Sequence, residues 1–264
     1  MSTAGPLLIV ESRGPVVELR LNRPEVRNAI SDELRTDLLK AVDEIAASHE
    51  VRVVILTGEG TAFCSGGDIA GMRERLRRPA GEVAAAGLRR LRPSQRLILD
   101  LHELDKITIA AVNGPAAGYG MDLALACDFI IAAEPAFFAM SYIQRGLVPD
   151  GGGAYFLPRR VGLARAKELI LTGRRVEAGE AFAMGLADRV VPATDLMAAA
   201  GKWADELAAS PALAAGLAKS ILNRSLELTA ADVLALSAEA TAICYTSDEH
   251  LKLVDSFVAK QKKS

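Results

Sequence analysis

Cysteine and histidine are scarce, with three of each in 264 residues. Cys64, Cys127 and Cys244 are odd in number and lack the close spacing of metal ligands, so they read as small buried residues of a reducing compartment. His49, His102 and His250 are scattered, which offers no metal cluster and assigns them structural or surface positions. Charge of one sign is also missing. Thirty-one basic and 33 acidic side chains leave a net charge of −2, which advertises neither nucleic acid nor an anionic membrane as a partner. No apolar run approaches the about 18 residues of a membrane span. The N-terminal stretch MSTAGPLLIVESRG has no basic n-region and no long apolar h-region, so it does not read as a signal peptide and a cytoplasmic protein is expected. Neither Gly-x-Gly-x-x-Gly nor a Gly-Lys-Ser/Thr P-loop occurs, which argues against a nucleotide-binding protein. Ser65 stands in Cys-Ser-Gly-Gly rather than in a Gly-x-Ser-x-Gly elbow, and no histidine is placed by motif, which argues against a serine hydrolase.

What is present is a globular composition, half apolar and about a quarter charged, in a length that suits one or two domains. Leu7–Glu11 and Val16–Leu21 read as a hairpin around Ser12–Pro15. Ser31 is a candidate N-cap, with Asp32 and Glu33 in the first turn, and Leu34, Leu38, Val42 and Ile45 share one helix face. Val51–Thr57 and Ile107–Val112 read as buried strands, Phe129–Ala132 as a third, and helices are expected over Ser94–Glu103, Asp122–Cys127, Leu163–Leu171 and Ala178–Met184. Gly146–Gly153 reads as a loop feeding a helix. This alternation predicts an α/β layered fold. From Asp195 onward only helices are expected, with Ser210-Pro211 as N-cap and N1 of one, Thr229 capping another and Ser247 starting a third. Between 71 and 93, Arg73, Arg75, Arg77, Arg78, Arg89, Arg90 and Arg92 crowd around Pro79–Gly81; a solvated mobile surface segment and a cationic flap that attracts a phosphorylated ligand both fit.

Two stretches carry the chemistry. FCSGGDIAGM, from Phe63 to Met72, and VNGPAAGYGMDLALAC, from Val112 to Cys127, each follow a predicted strand and turn through glycines towards a helix. Glycine permits positive φ and close backbone approach, and a helix start leaves N–H groups without partners. Two such turns side by side would aim two backbone N–H groups at one oxygen, which is an oxyanion hole for charge developing on a carbonyl. Asp150, ahead of Gly151–Gly153, reads either as a general base beside that pocket or as a loop aspartate satisfying local N–H groups. Asp122 has the same two readings, since an aspartate in the first turn of a helix has a structural role available to it.

In order and flanks the pair resembles the crotonase superfamily, the enoyl-CoA hydratase/isomerase family, over nearly the whole chain from Leu19–Pro24 (LRLNRP) to Phe257–Lys260 (FVAK). The resemblance implies a spiral of ββα units over residues 1–194, holding the acyl-CoA site, and a helical trimerisation region over 195–264. It implies a homotrimer or a dimer of trimers and no cofactor beyond the coenzyme A thioester that is the substrate; RNA binding is known among relatives, but the net charge gives it no support, and neither a nucleic-acid nor a membrane partner is expected. By position it gives the oxyanion hole to the N–H groups of Gly67 and Tyr119, with the Tyr119 ring expected to narrow the pocket. Val26, Arg27 and Ala29 match the stretch along the nucleotide and pantetheine arm, Arg27 as a phosphate partner or as one half of a surface ion pair. Ser65, Gly66, Asp68 and Ile69 would meet adenine and pantetheine, Asp68 also turning or capping the helix that follows, while Gly118, Tyr142 and Pro149 would line the acyl side. Phe257 and Lys260 match positions that reach a neighbouring subunit's coenzyme A, although the FVAKQK ending lacks the more usual acidic-basic pattern. Hydratases of the family use two glutamates, and here those positions hold Asp122 and Tyr142. An acid at the position of Asp150 matches several double-bond isomerases. The expectation is therefore an enoyl-CoA isomerase with Asp150 as proton shuttle and Asp122 assisting. The alternatives are a hydratase using Asp122 and a non-catalytic acyl-CoA-binding protein.

Overall fold

A computed structural model describes residues 5–68, 77 and 79–261. The chain opens with the hairpin expected from its sequence, Leu8–Arg13 (β1) and Val16–Leu21 (β2), antiparallel in the register Leu8 to Leu21, with Gly14 at φ 57° in the turn. Val53–Gly58 (β3), Ile107–Val112 (β4), Phe129–Ala133 (β6) and Arg189–Val191 (β9) add in parallel to make one six-stranded sheet, order β1-β2-β3-β4-β6-β9. A second sheet escaped the sequence reading. Ala116–Ala117 (β5) pairs in parallel with Phe137–Ala139 (β7), which pairs antiparallel with Arg175–Glu177 (β8). Strands of two or three residues are too short to show a period of two.

The central strands are apolar apart from Thr57 and Thr108 because both their faces are covered. Val54, Leu56, Ala110, Val112, Ile130 and Ala132 point into the main core. Against that face lie Asp32–Ala47 (α1), capped by the Ser31 hydroxyl accepting from the Leu34 N–H at 3.2 Å, and the C-terminal half of Ala80–Glu103 (α2). Tyr119–Ala126 (α3) is buried at every residue in the middle of that core. The alternate residues Val53, Ile55, Ile109, Ala111, Ile131 and Ala133 form a second core on the other face.

Leu196–Ala208 (α7) closes that second core with Leu196, Ala200, Ala204 and Ala208, four residues apart, and with Trp203. Trp203 packs 4.9 Å from the Phe129 ring, with the Arg189 guanidinium 3.8 Å over the Trp203 ring. The change from strand to helix near residue 194 is therefore a change of element, while the helix just past it is part of the spiral core. Gly153–Val161 (α4), Leu163–Thr172 (α5) and Ala178–Ala183 (α6) lie between the last strands.

Two further expectations are corrected. The arginine-rich segment from residue 80 onward is the N-terminal half of α2, continuous through Pro93, with Arg89 and Arg92 exposed and Arg90 half-buried. Arg73, Arg75 and Arg78 lie outside the described residues. Ala212–Arg224 (α8) starts after Pro211, with no side-chain cap from Ser210. Thr229 does cap Ala230–Cys244 (α9) through a capping box with Asp232, and the Ser247 hydroxyl accepts from the His250 N–H at the start of Asp248–Gln261 (α10). Cys64 and Cys127 are buried as expected, whereas Cys244 is only half-buried.

Trp203→Ala should cost about 3–5 kcal/mol by leaving a cavity in the second core, read as a lowered midpoint in urea unfolding. A chain ending at residue 194 should fail to show a cooperative melt, because Val53, Ile55, Ile109 and Ile131 lose their cover. A cooperative transition from that fragment would return α7 to the status of an appendage.

Candidate active site

The two glycine-rich turns lie against each other, backbone to backbone. The Cys64 N–H donates to the Pro115 carbonyl at 3.1 Å and the Ala117 N–H donates to the Cys64 carbonyl at 2.9 Å. A Cβ on Gly120 would stand 2.1 Å from the Cys64 carbonyl oxygen, and one on Gly114 would stand 2.1 Å from that of Thr61. Only glycine permits contacts this close. Asn28, wholly buried and at φ 57°, holds the approach to the first turn: its Nδ2 donates to the carbonyls of Glu59 (2.9 Å) and Ala62 (2.7 Å), and its Oδ1 accepts from the Arg23 N–H. Asn113 does the same from the second turn, donating to Gly58 at 2.8 Å and Gly60 at 3.0 Å.

Gly67 bridges to Ile30: the Ile30 N–H donates to the Gly66 carbonyl and the Asp68 N–H to the Ile30 carbonyl. A trans peptide sets C=O and N–H on opposite sides, so the Gly67 N–H faces away from Ile30. Gly66, at φ +103°, brings its α-carbon so near the second turn that a Cβ would stand 2.8 Å from the Ala117 carbonyl and 3.5 Å from the Tyr119 nitrogen. Tyr119 begins α3, so its N–H has no carbonyl within that helix to bind. The structure thus brings the two expected donors to one place. Its account of the Tyr119 side chain differs from expectation: the ring is buried, and its hydroxyl donates to the Ser94 carbonyl of α2 at 2.7 Å, so it ties the turn to α2.

Three side chains of the sequence reading converge behind this turn. Asp122, on α3, has no exposed surface. Its Oδ2 accepts from the Tyr142 hydroxyl at 2.5 Å, while its Oδ1 has no hydrogen-bond partner among the described residues; the Gly153 and Gly151 N–H groups act on it electrostatically. Burial is the main cause that pushes the Asp122 carboxyl up to about 7, against the favourable Tyr142 hydrogen bond, with the Asp150 charge adding to the rise. Tyr142 sits on the single turn Ser141–Arg145, buried, and its hydroxyl also interacts with the Asp150 carboxyl. Burial and the two aspartates push the phenol far up, so it stays a proton donor. Asp150 is half-buried, its carboxyl raised by desolvation and opposed by Tyr142 and by Arg90 of α2. Gly151 and Gly153 are tight here as well, with Cβ positions 2.4 and 2.6 Å from the two Asp122 oxygens.

Asp150, Gly151 and Gly152 form one wall of a cavity of about 810 Å³, closed elsewhere by Ile98, His102 and Phe156 among others. Asp122 and Tyr142 are not among its lining residues, and neither are Gly67 and Tyr119 of the two turns. The arm residues lie on the outer side of the first turn. Val26 and Arg27 are exposed and Ala29 is buried; the Arg27 carbonyl accepts from the Ser65 N–H at 2.9 Å and the Ser65 hydroxyl donates to the Val26 carbonyl. Arg27 makes no ion pair among the described residues. Asp68 is bound by Arg23 at 3.3 Å, and Arg23 also donates to the Ala29 carbonyl at 2.6 Å. Ile69 lies outside the described residues. Gly118 supplies the φ 53° entry to α3, Pro149 is half-buried beside Asp150, and Phe257 and Lys260 stand exposed on α10. Sequence reasoning missed Arg23, Asn28 and Asn113; the one signal for Asn28 was an asparagine after an Arg-Pro turn, where left-handed backbone favours that residue.

Comparison with known proteins agrees with this geometry. Residues 11–264 match the sequence profile of the enoyl-CoA hydratase/isomerase family. The short-chain-enoyl-CoA hydratase of Clostridium acetobutylicum is 33% identical over 256 residues, covering 97% of this chain and 95% of that one. The 1,2-epoxyphenylacetyl-CoA isomerase of Escherichia coli is 35% identical, with 93% of each chain covered. The crystal structure of an enoyl-CoA hydratase from Bacillus anthracis superimposes with a TM-score of 0.89 at 33% identity, over 97% of both chains. The fold is the crotonase fold, and the chain belongs to the enoyl-CoA hydratase/isomerase family, whose enzymes act on acyl-CoA.

Proposed function

We propose that the protein is an enoyl-CoA double-bond isomerase that moves a double bond from C3 to C2 of a coenzyme A thioester. The observation that supports this reading is that Asp150 is half-buried, whereas Tyr142 is buried and Asp122 has no exposed surface. Asp150 removes a proton from C2; the C–H electron pair passes into a dienolate whose oxygen is held by the N–H groups of Gly67 and Tyr119. The same carboxyl then returns a proton at C4, leaving the double bond conjugated with the thioester. Hydration would need two carboxyl groups acting on one water at the substrate. Asp122 has no exposed surface, and Tyr142 holds its Oδ2.

The coenzyme A arm is assigned to the outer side of the first turn, with Arg27 free to meet a phosphate, and no cofactor beyond the thioester is invoked. The tail supports a homotrimer or dimer of trimers: α9 and α10 bury no residue, while Leu234, Leu251, Leu253 and Phe257 are more than half exposed. Apolar patches of this kind mark protein–protein contacts. A cytoplasmic location follows from the same reading.

With a 3-enoyl-CoA, the parent protein should generate the conjugated thioester absorbance, and Asp150→Asn should lower kcat about 10²–10⁴-fold. Because desolvation raises the Asp150 carboxyl, which must be ionised to act, activity should rise with pH along an acid limb above the ordinary carboxylate range. Hydration of a 2-enoyl-CoA without conjugation would install the hydratase reading, and thioester binding with neither reaction would install the non-catalytic one. Gly66→Ala should lower kcat by about 10²–10³, the scale of one oxyanion-hole donor, since its Cβ would press on the Ala117 carbonyl at 2.8 Å. Unchanged kcat in that variant would remove the first turn from the hole.

A further inference from the structure

The cavity beside Asp150 has a far end to which the reaction just described gives no task. Gly67 and Tyr119 are not on its wall, yet the cavity abuts their turn: a Cβ on Gly151 would stand 2.8 Å from the Tyr119 ring. With the thioester held at the two turns, what passes Asp150 into the cavity is the acyl tail. From there the walls can be followed by contact. Gly152 lies against Phe156 and Ile98, where a Cβ would meet their side chains at 2.5 and 3.4 Å. The Phe156 ring lies 4.8 Å from the His102 ring, and Asn223 of α8 donates to the His102 carbonyl at 2.9 Å. Gln95 and Glu103 of α2 both line the cavity, which gives it a length of about 12 Å along that helix. Its volume of about 810 Å³ lies in the upper part of the range of small-molecule sites, about 300–1,000 Å³. A short acyl group would leave it largely empty.

The far wall is firmly built. α8 is fixed on the C-terminal end of α2 at three points. Gly216 packs so close that a Cβ would stand 2.8 Å from the Asp105 carbonyl, and Asn223 satisfies the His102 carbonyl in the last turn of α2. Lys219, buried, donates to the Lys106 carbonyl and pairs with Asp128, both at 2.8 Å. The residues that α8 and the turn after it bring to the cavity are all polar: Ser220, Asn223, Arg224 and Glu227. An apolar belt of Ile98, Leu99 and Phe156 thus gives way to a polar end. Charges at that end balance. Glu227 is held by the Tyr155 hydroxyl at 2.5 Å and by Arg159 at 3.0 Å, while Arg224 and Glu103 add one charge of each sign. Burial, with the Lys219 charge, lowers the His102 imidazole, so the ring is neutral at neutral pH. Among the described residues Arg224 commits only its Nε, to the Ser220 carbonyl at 3.2 Å. Such a wall can satisfy an uncharged oxygen, whereas a hydrocarbon end would take water from polar groups and give nothing back. A carboxylate would meet no excess of cations. We infer that the acyl group carries an uncharged oxygen function, a hydroxyl or a carbonyl, beyond an apolar stretch, and that His102 and Arg224 are the specificity-determining residues that receive it. This inference rests on the reading that an acyl-CoA presents its α-carbon to Asp150.

The experiment is calorimetric binding of saturated acyl-CoAs, which have no double bond to move: decanoyl-CoA, the same chain with a terminal hydroxyl, and the same chain ending in a carboxylate. The hydroxyl chain should bind about three- to tenfold tighter than decanoyl-CoA, the scale of one hydrogen bond. The sign decides, because an apolar end wall would penalise a buried hydroxyl. Equal or weaker binding of the hydroxyl chain would overturn the inference, and so would tightest binding of the carboxylate chain. His102→Phe, which keeps a ring against Phe156, and Arg224→Leu, at an exposed position of α8, should each reduce the hydroxyl preference and leave the affinity for decanoyl-CoA unchanged. A preference retained in both variants would remove these two residues from the assignment and overturn it. Because binding needs no turnover, a hydroxyl preference without conjugation of any 3-enoyl-CoA would sink the isomerase reading alone. Conjugation without the preference would sink the far-end assignment alone.

Discussion

Everything in the site depends on two backbones touching. Where Thr61–Gly67 runs beside Gly114–Gly120, the carbonyls of Thr61 and Cys64 occupy the space in which a side chain at 114 or 120 would stand. No hydrophobic contact could bring two chains so near, because any Cβ would hold them apart. The approach is instead stitched by hydrogen bonds: Cys64 to Pro115, Ala117 to Cys64, and the amides of Asn28 and Asn113 drawing in the carbonyls around Gly58–Ala62. These amides satisfy turn carbonyls that would otherwise be buried without partners, a cost of about 1–3 kcal/mol each. The result is that two distant parts of the chain are held backbone to backbone, and on the proposed function their N–H groups supply the preorganisation that electrostatic catalysis needs.

The sequence was informative where one residue type answers one local constraint. Gly66, Gly118 and Gly120 could be read as turn and approach residues, Ser31 and Thr229 as caps, and the six residues of Ile107–Val112 as a strand covered on both faces. It was uninformative where the constraint comes from elsewhere in the chain. Ala116–Ala117 is a strand only because Phe137–Ala139 lies beside it. The helix expected from Ser94 starts earlier and α2 passes through Pro93, since one missing N–H costs less than the packing of Leu97, Ile98 and Leu101 returns. Ala200, Ala204 and Ala208 carry no periodic signal of strong hydrophobicity, so the helix that covers half the sheet read as part of a tail. The amide groups of Asn28 and Asn113 donate to carbonyls some 30 to 55 positions away, which the sequence around them does not announce.

The electrostatics of the two aspartates follow from depth. Their chemistry is the same and their neighbours overlap, but Asp122 is sealed and Asp150 stands at a cavity wall. Burial raises both carboxyls, because water no longer stabilises the charged form. Tyr142 works against that rise at both sites, being a phenol whose own ionisation is suppressed by the same burial and the same two charges. A group that cannot lose its proton outright is a dependable donor. The state of one aspartate is also felt by the other, since the Asp150 charge adds to the rise at Asp122.

That arrangement separates two chemistries which a shared fold leaves open. Hydration places two carboxyls in parallel, both facing one water and one substrate carbon. Here they are in series, with Asp150 at the substrate side and Asp122 behind the tyrosine. A carboxyl in series cannot activate a water in the cavity, but it can change the proton affinity of the one in front. Moving a double bond asks for that: one base strong enough to take a proton α to a held thioester, and able to give it back two carbons away. On the isomerase proposal, Tyr142 in place of a second cavity-facing carboxylate removes what hydration requires and leaves what proton shuttling requires in place.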